Sequence, residues 1–397
     1  MTSSLTSSLP AAIHPQGLNV VSVSAGGSHT AIVTVDGAVY TCGLNEHAQL
    51  GHSPDAGYVP ILHPVAGLPP HDPVVSVSAG HHHTVCVTEG GELWAWGRND
   101  TSQCGLGADA PSVVALPAWI SGASPGAPGN AGGVISVAAG PRHNLAVTDN
   151  GAVYTWGEGK EGVLGHGADE SWRWGFWMGD TVEPAPRLVR GLAESGVEVA
   201  SAAAGLAHSV CVDRTGHVHA WGQGRFNQLG MGAKNAPAFT TTPTRVPALG
   251  RVRQLAAGGN FTVAVGVDGQ MVSWGADGNG ELGLGNSNDK RGDVPRPVHN
   301  TAKASFLSAS AGWRHAAAVS SDGRVWTWGW GGSAGQHHDD AFSTGGQLCL
   351  GVDNDFWEPF PVPDFTRRGD GGRRLLAAKD VSCGFNHTVV LVDDGAG

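Results

Sequence analysis

The sequence predicts an all-β protein, a seven-bladed β-propeller of four-stranded antiparallel blades, and three observations carry that expectation. First, a Gly-x-x-His step returns at Gly26/His29, Gly80/His83, Gly140/His143, Gly205/His208, Gly312/His315 and Gly384/His387, with Gly258/Phe261 filling the remaining place, which makes seven copies. Second, the spacing after each step is fixed. Eight residues past each His or Phe stands a turn glycine (Gly37, Gly91, Gly151, Gly216, Gly269, Gly323, Gly395), and five further on, in six copies, comes Cys42, Trp96, Trp156, Trp221, Trp274 or Trp328. Third, a Leu-Gly pair or its variant closes the first five units, at Leu50-Gly51, Cys104-Gly105, Leu164-Gly165, Leu229-Gly230 and Leu282-Gly283. A repeated unit returns residues at constant offsets only when each plays the same geometric part.

The elements of one unit follow in order. The alternating run Val-Val-Ser-Val-Ser-Ala at 20–25 reads as a first strand. After the Gly-x-x-His turn, nearly continuous apolar runs such as 84–88 (Thr-Val-Cys-Val-Thr) read as strands covered on both faces. The Asp-Gly turn then supplies the positive φ of a tight hairpin. Val-Tyr-Thr-Trp-Gly at 153–157 is a third strand, and the segment before the next step, often Pro-bearing as at 240–246, is an edge-like fourth. The domain reading is a single propeller over 18–397, preceded by an N-terminal segment, 1–17, that is mobile or docks to close the last blade. Closure is the open point. The seventh copy stops at Asp394-Gly395 before any Trp-Gly strand, and residues 1–17 contain no Val-x-x-Trp-Gly, so docking of residues 9–14 is expected ahead of a longer natural chain. Residues 122–133, rich in Gly, Pro and Ala, read as an interblade linker.

Composition narrows the function. The 62 Gly would signal low complexity without a period, but here they fall at repeat positions and are turn residues. A net charge of −11 argues against a phosphate-tracking surface, so direct nucleic-acid binding is not expected. The six Cys form no C-x-x-C pair, and there is neither a leader-like N-terminus nor an 18-residue apolar run, so the expected setting is intracellular, cytoplasmic or nuclear, with no membrane span. No P-loop, Ser/His/Asp arrangement or paired carboxylate stands at an interpretable spacing, so no enzyme, catalytic residue, metal or cofactor is expected. His337-His338-Asp339-Asp340 reads as solvated surface.

The Gly-x-x-His, Asp-Gly-x-Val-Tyr-x-Trp-Gly and Gln-Leu-Gly elements together resemble the regulator of chromosome condensation family across residues 20–395. The resemblance implies a seven-bladed propeller. Members include exchange factors for small GTPases, the plant ultraviolet-B receptor and scaffolds of varied partners, so it speaks to architecture more than to activity. Residues 312–315, Gly-Trp-Arg-His, match the receptor's signature in one copy only, which makes photoreception the least favoured of these functions.

Candidate contacts lie where the repeat leaves residues free. The repeated His and Trp are read as structural, the imidazoles bonding turn backbone. The two residues inside each Gly-x-x-His vary and should share one rim, where Trp313, Arg314, Phe385 and Arg142 are the expected protein-binding residues. An insertion adds Trp172, Arg173, Trp174, Phe176 and Trp177, which either fold back or meet another protein. The reading is a non-enzymatic interaction propeller that binds a protein partner through this rim and the Trp-rich loop. Guanine-nucleotide exchange on a small GTPase is the alternative, and the sequence sets no oligomeric state.

Overall fold

A computed structural model of the 397-residue chain describes residues 18–52, 57–123, 132–167, 172–173, 176–177, 182–232, 237–247, 249–285, 292–301, 304–332, 346–369 and 372–393. The strands run β1 (Val20–Ala25), β2 (His29–Thr34), β3 (Val39–Leu44), β4 (Tyr58–Pro64); β5 (Val74–Ala79), β6 (His83–Thr88), β7 (Leu93–Arg98), β8 (Val113–Ile120); and β9 (Val134–Ala139), β10 (His143–Thr148), β11 (Val153–Glu158), which β14 (Val182–Leu188) completes. Between β11 and β14 a short ribbon pairs β12 (Trp172–Arg173) with β13 (Phe176–Trp177). There follow β15 (Val199–Ala204), β16 (His208–Asp213), β17 (Val218–Gln223), β18 (Phe239–Arg245); β19 (Val252–Ala257), β20 (Phe261–Gly266), β21 (Met271–Gly275), β22 (Arg296–Pro297); and β23 (Phe306–Ala311), β24 (His315–Ser320), β25 (Val325–Gly329), β26 (Phe356–Pro361). A small hairpin, β27 (Thr366–Gly369) with β28 (Gly372–Leu375), precedes β29 (Ala377–Cys383) and β30 (Thr388–Asp393).

These strands form six four-stranded antiparallel sheets, and β29 with β30 forms a separate two-stranded one. Among the described residues, the expected seven four-stranded blades are therefore corrected to six. In the seventh copy the described residues give only a first and a second strand, β29 and β30. The β29–β30 hairpin still closes the ring. Cys383 N–H donates to Ser310 Oγ of blade 6 (2.9 Å), and Ala25 N–H of blade 1 donates to Ser382 Oγ (2.9 Å). Residues 1–17, the expected closing segment, lie outside the described residues.

Each blade repeats the same internal geometry. The third strand shifts register against the fourth between Thr41 and Gly43, Ala95 and Gly97, Thr155 and Gly157, Ala220 and Gly222, and Thr327 and Gly329, which places a bulge at the Trp-Gly step. Outer strands carry the prolines, as at Pro60, Pro117, Pro186, Pro243 and Pro359, because an edge tolerates a residue that donates no ladder bond. The core lies between blades. Trp96, Trp156, Trp221, Trp274 and Trp328 are fully buried, and burial of ~200 Å² each corresponds to roughly 5 kcal/mol per indole. Each indole donates from Nε1 to a carbonyl of the preceding blade, Gln49, Gln103, Val163, Gln228 and Glu281 respectively, at 2.8–3.1 Å. Among the described residues no helix is long and apolar enough to cross a membrane.

Candidate functional site

The Gly-x-x-His steps converge on one end of the propeller, where Gly26, Gly80, Gly140, Gly205, Gly258, Gly312 and Gly384 surround the axial opening. Close packing of the ring requires these glycines. A Cβ on Gly80 would stand 2.2 Å from His83 Cε1 and 2.7 Å from the Gly140 carbonyl, and the other five Gly-His pairs repeat that crowding. Backbone bonds then link the neighbours, including Gly27 N–H to Gly80 O, Trp313 N–H to Gly384 O and Phe385 N–H to Gly26 O.

The imidazoles reach across to the next blade, whose side chains meet their Nε2 atoms. His29 meets Thr84, His83 meets Asn144, His143 meets Ser209, His208 meets Thr262, His315 meets Thr388 and His387 meets Thr30, at 2.8–3.2 Å. Thr84, Ser209, Thr262 and Thr388 spend their single hydroxyl proton on a backbone carbonyl, so the imidazole Nε2–H is the donor to each. Burial accordingly lowers all six pKa values, to about 3 or 4, and the rings are neutral. The seventh link is apolar on both sides, Phe261 facing a blade whose corresponding residue is Ala316. The signal was present in the sequence, in the residue after each His: Thr30, Thr84, Asn144, Ser209, Ala316 and Thr388, with Thr262 following Phe261.

The variable rim residues form an arc above this layer. Arg314 lies over the Trp313 ring (5.0 Å), Trp313 stacks on Phe385 (4.8 Å, 26°), and Phe385 stacks on His81 (4.5 Å, 20°). His81 continues to His82 (3.9 Å) and His82 to His47 (4.8 Å). Phe385 and His81 are not in adjacent blades. The blade between them contributes Gly27, where a Cβ would strike His81 Cδ2 at 2.3 Å, so its bare backbone lets the imidazole lean across. Gly259 does the same beneath Trp313, whose Cδ1 would stand 2.7 Å from an added Cβ. Burial, and then the nearby Arg142 and Arg98, hold His81 down at about 4, while burial and His81 hold His82 at about 3. The middle of the arc is thus an uncharged π surface, with the Arg314 guanidinium over Trp313 and Arg142 and Arg98 near His81.

Three of the four expected rim residues, Trp313, Arg314 and Phe385, are in this stack. The fourth, Arg142, stands beside it and lines a cleft of about 640 Å³ with His81, Glu158, Lys160, Arg225, Phe239 and Phe385. Glu158 pairs with Arg142 (3.5 Å) and Lys160 (3.3 Å), and Glu161 with Arg225 (3.3 Å). The sequence places His81 and His82 on this rim, inside a Gly-x-x-His step, without singling them out as contacts, and it gives no signal for His47. Trp172 and Arg173 lie on β12 opposite Trp177 and Phe176 of β13. Trp174 and the His337–Asp340 run lie outside the described residues. Glu158 pairs with Val182, and its N–H donates to Arg142 O, so the insertion leaves and re-enters the blade at the rim end. Among the described residues no three His, Cys, Asp or Glu side chains gather in a metal-holding group.

A ring of such sheets with regular buried residues and one irregular rim defines a β-propeller of the repeat class. Residues 3–390 match the family model described as RCC1-like domain, and the chain belongs to that family. It is 29% identical over 379 residues to the Ultraviolet-B receptor UVR8 of Arabidopsis thaliana, covering 94% of this chain and 75% of that protein. It is likewise 29% identical over 393 residues to the Regulator of chromosome condensation of Mus musculus, covering 97% and 85%. The fold is similar to that of human WBSCR16 (TM-score 0.77, 24% identity, 95% and 87% covered). It is also similar to Prp20p of Saccharomyces cerevisiae, a structure reported with binding to Gsp1p and histones (TM-score 0.74, 21% identity, 95% and 83% covered).

Proposed function

We propose that this propeller is a non-enzymatic protein-interaction module that engages a protein partner through the Gly-x-x-His rim, with the insertion of Trp172, Arg173, Trp174 and Trp177 as a second contact. The observation that carries the reading is the arc from Arg314 through Trp313, Phe385 and His81 to His82. It brings Trp and Arg, the side chains that dominate interface energetics, together on a half-buried surface at the ring's irregular end. Their neighbours are closely packed, so an incoming side chain would meet a pre-organised face and little ordering cost would oppose binding.

The test is quantitative capture with the wild-type chain and a Trp313→Ala/Arg314→Ala variant of matched thermal stability. Loss of partners from the variant, by tenfold or more in affinity for an interface core of this kind, is the expected outcome. A full set of partners retained at unchanged affinity would remove the rim from the reading.

Exchange of guanine nucleotide on a small GTPase is a second reading, supported by the similarity over 393 residues to the Regulator of chromosome condensation. Release of a fluorescent guanine nucleotide from a panel of small GTPases separates the two. Acceleration on any member, abolished by the rim variant, favours exchange; a flat panel leaves the interaction reading alone.

A further inference from the structure

The end of the ring opposite the Gly-x-x-His rim carries a second set of variable side chains, placed there by backbone bulges. Each first strand shifts register against its second strand near its start, and the residue left out of the ladder is turned outward. In blades 1 to 3 that residue is Val21, Val75 or Ile135, whereas blade 5 and the closing hairpin have Arg253 and Lys379 at the same place. The three aliphatic side chains are 47–52% exposed, and Val35, in the turn between β2 and β3, is 68% exposed. Exposed aliphatics scattered singly are ordinary, but these share one fastened surface. Val35 N–H donates to Asn19 O, Val74 N–H to Gly37 O, Glu89 N–H to Pro73 O and Val134 N–H to Gly91 O. Each turn is thereby tied to the start of the first strand in its own blade and in the next.

Charge selects the occupant. Asp36, Asp72, Glu89 and Glu92 stand at this same end of blades 1 and 2, and among the described residues none is ion-paired. Elsewhere at this end carboxylates have cationic neighbours, Glu198 with Arg214 (2.6 Å), Asp322 with Arg324 (3.5 Å) and Asp393 with Lys379 (3.2 Å). Four carboxylates without counterions around an aliphatic surface repel anionic lipid and nucleic acid and attract Lys or Arg. A second copy of the chain is a poor complement, because Arg251 and Arg253 of blade 5, which are not ion-paired among the described residues, share their end of the blade with Asp268. The segments of chain leading into β1 and β9 supply no cation either, since 1–17 and 124–131 contain no Lys or Arg.

We infer that this end of blades 1 to 3 is a docking surface for a basic amphipathic segment of a partner protein. Its apolar side chains seat on Val21, Val35, Val75 and Ile135, and its Lys or Arg side chains meet Asp36, Asp72, Glu89 and Glu92. The surface is separate from the Gly-x-x-His rim, and the test keeps the two apart.

The test measures binding of a labelled peptide, Lys-Leu-Lys-Lys-Leu-Leu-Lys-Lys-Leu-Lys, to the full chain by fluorescence anisotropy, with hydrogen exchange as the footprint and the same peptide carrying Glu for Lys as the control. Its Leu residues fall on one helical face. The Lys peptide is expected to bind saturably, more weakly as salt rises, and to slow exchange around Val35, Val75 and Glu89, while the Glu peptide does not bind. Asp72→Asn with Glu89→Gln removes two charges, and the Asn keeps an acceptor for the Gly90 N–H that Asp72 now receives (2.7 Å). Val35→Ser with Val75→Ser removes apolar contact at exposed positions, where substitution changes stability little. Each pair should weaken binding by about fivefold, and Trp313→Ala/Arg314→Ala at the opposite rim should leave it unchanged. No saturable binding, equal binding of the Glu peptide, protection confined to another face, or an affinity that either surface variant leaves unchanged would overturn the inference. So would self-association of the chain that Val35→Ser with Val75→Ser abolishes.

Discussion

A single atom decides much at the Gly-x-x-His turn. Gly80 has no alternative there, because any Cβ would overlap the His83 ring and the Gly140 carbonyl, both held by the adjacent blade. Gly80→Ala is expected to destabilise the chain by about 3 kcal/mol, the upper range for overpacking in a site that cannot relax, and chemical denaturation measures it. The Phe261/Ala316 pair is the complementary case, since a polar link has been replaced on both sides at once. Phe261→His alone buries an imidazole opposite a methyl group, while Phe261→His with Ala316→Thr restores donor and acceptor. A double-mutant cycle should therefore return a favourable coupling of about 1 kcal/mol or more, and zero coupling would show that the links elsewhere in the ring act independently.

At the scale of the element, the unit of construction is a pair of neighbouring blades. The Trp-Gly strand of one blade and the Leu-Gly loop of the one before it form a joint, with the indole against the loop glycine and its Nε1–H on the loop carbonyl. Trp156→Ala empties such a joint and leaves the Gln103 carbonyl with one donor fewer, the Asn144 amide. The expected cost is about 4 kcal/mol, seen as a lower denaturant midpoint with little change in slope. The ring is modified on both sides of its two-stranded hairpin: Cys42 stands where the other complete blades have Trp, and Cys349 where the other loops have Gly. Both changes fall at a joint that, among the described residues, β29 and β30 do not make.

The whole molecule couples its stability to pH through the imidazole layer. Six histidines have folded-state pKa values near 3 or 4, against an ordinary value of 6.5. Below about pH 6.5 the unfolded chain takes up protons that the folded chain refuses, so stability is lost as pH falls from there toward 4. The limiting slope is about 1.4 kcal/mol per histidine per pH unit, or about 8 kcal/mol per unit for six. Glu281, raised by burial to about 7, has the opposite sign: its folded form holds a proton between about 4.5 and 7, so acid favours the fold through this one group. The histidines outnumber it. Urea midpoints at pH 7.5, 6.5 and 5.5 should be nearly level over the first interval and fall steeply over the second; a flat profile to pH 5 would mean that the imidazoles are not kept neutral by the ring.

How much of this was legible depends on the kind of residue. The strands, turns, buried indoles and one-rim location of Trp313, Arg314, Phe385 and Arg142 follow from the sequence, because a residue required by local backbone geometry must recur at a fixed offset. The number of complete blades did not follow, since counting Gly-x-x-His steps counts second strands and not the third and fourth that make a blade. The stacked arc was equally out of reach. His81 meets Phe385 only because Gly27, from the intervening blade, leaves room between them, and no spacing along the chain encodes a contact between residues some 300 positions apart. The sequence by itself determined the repeated unit, because hydrogen bonding and backbone sterics act over a few residues. Tertiary structure alone decided which irregular residues become neighbours, because that depends on the order in which finished sheets meet around the axis.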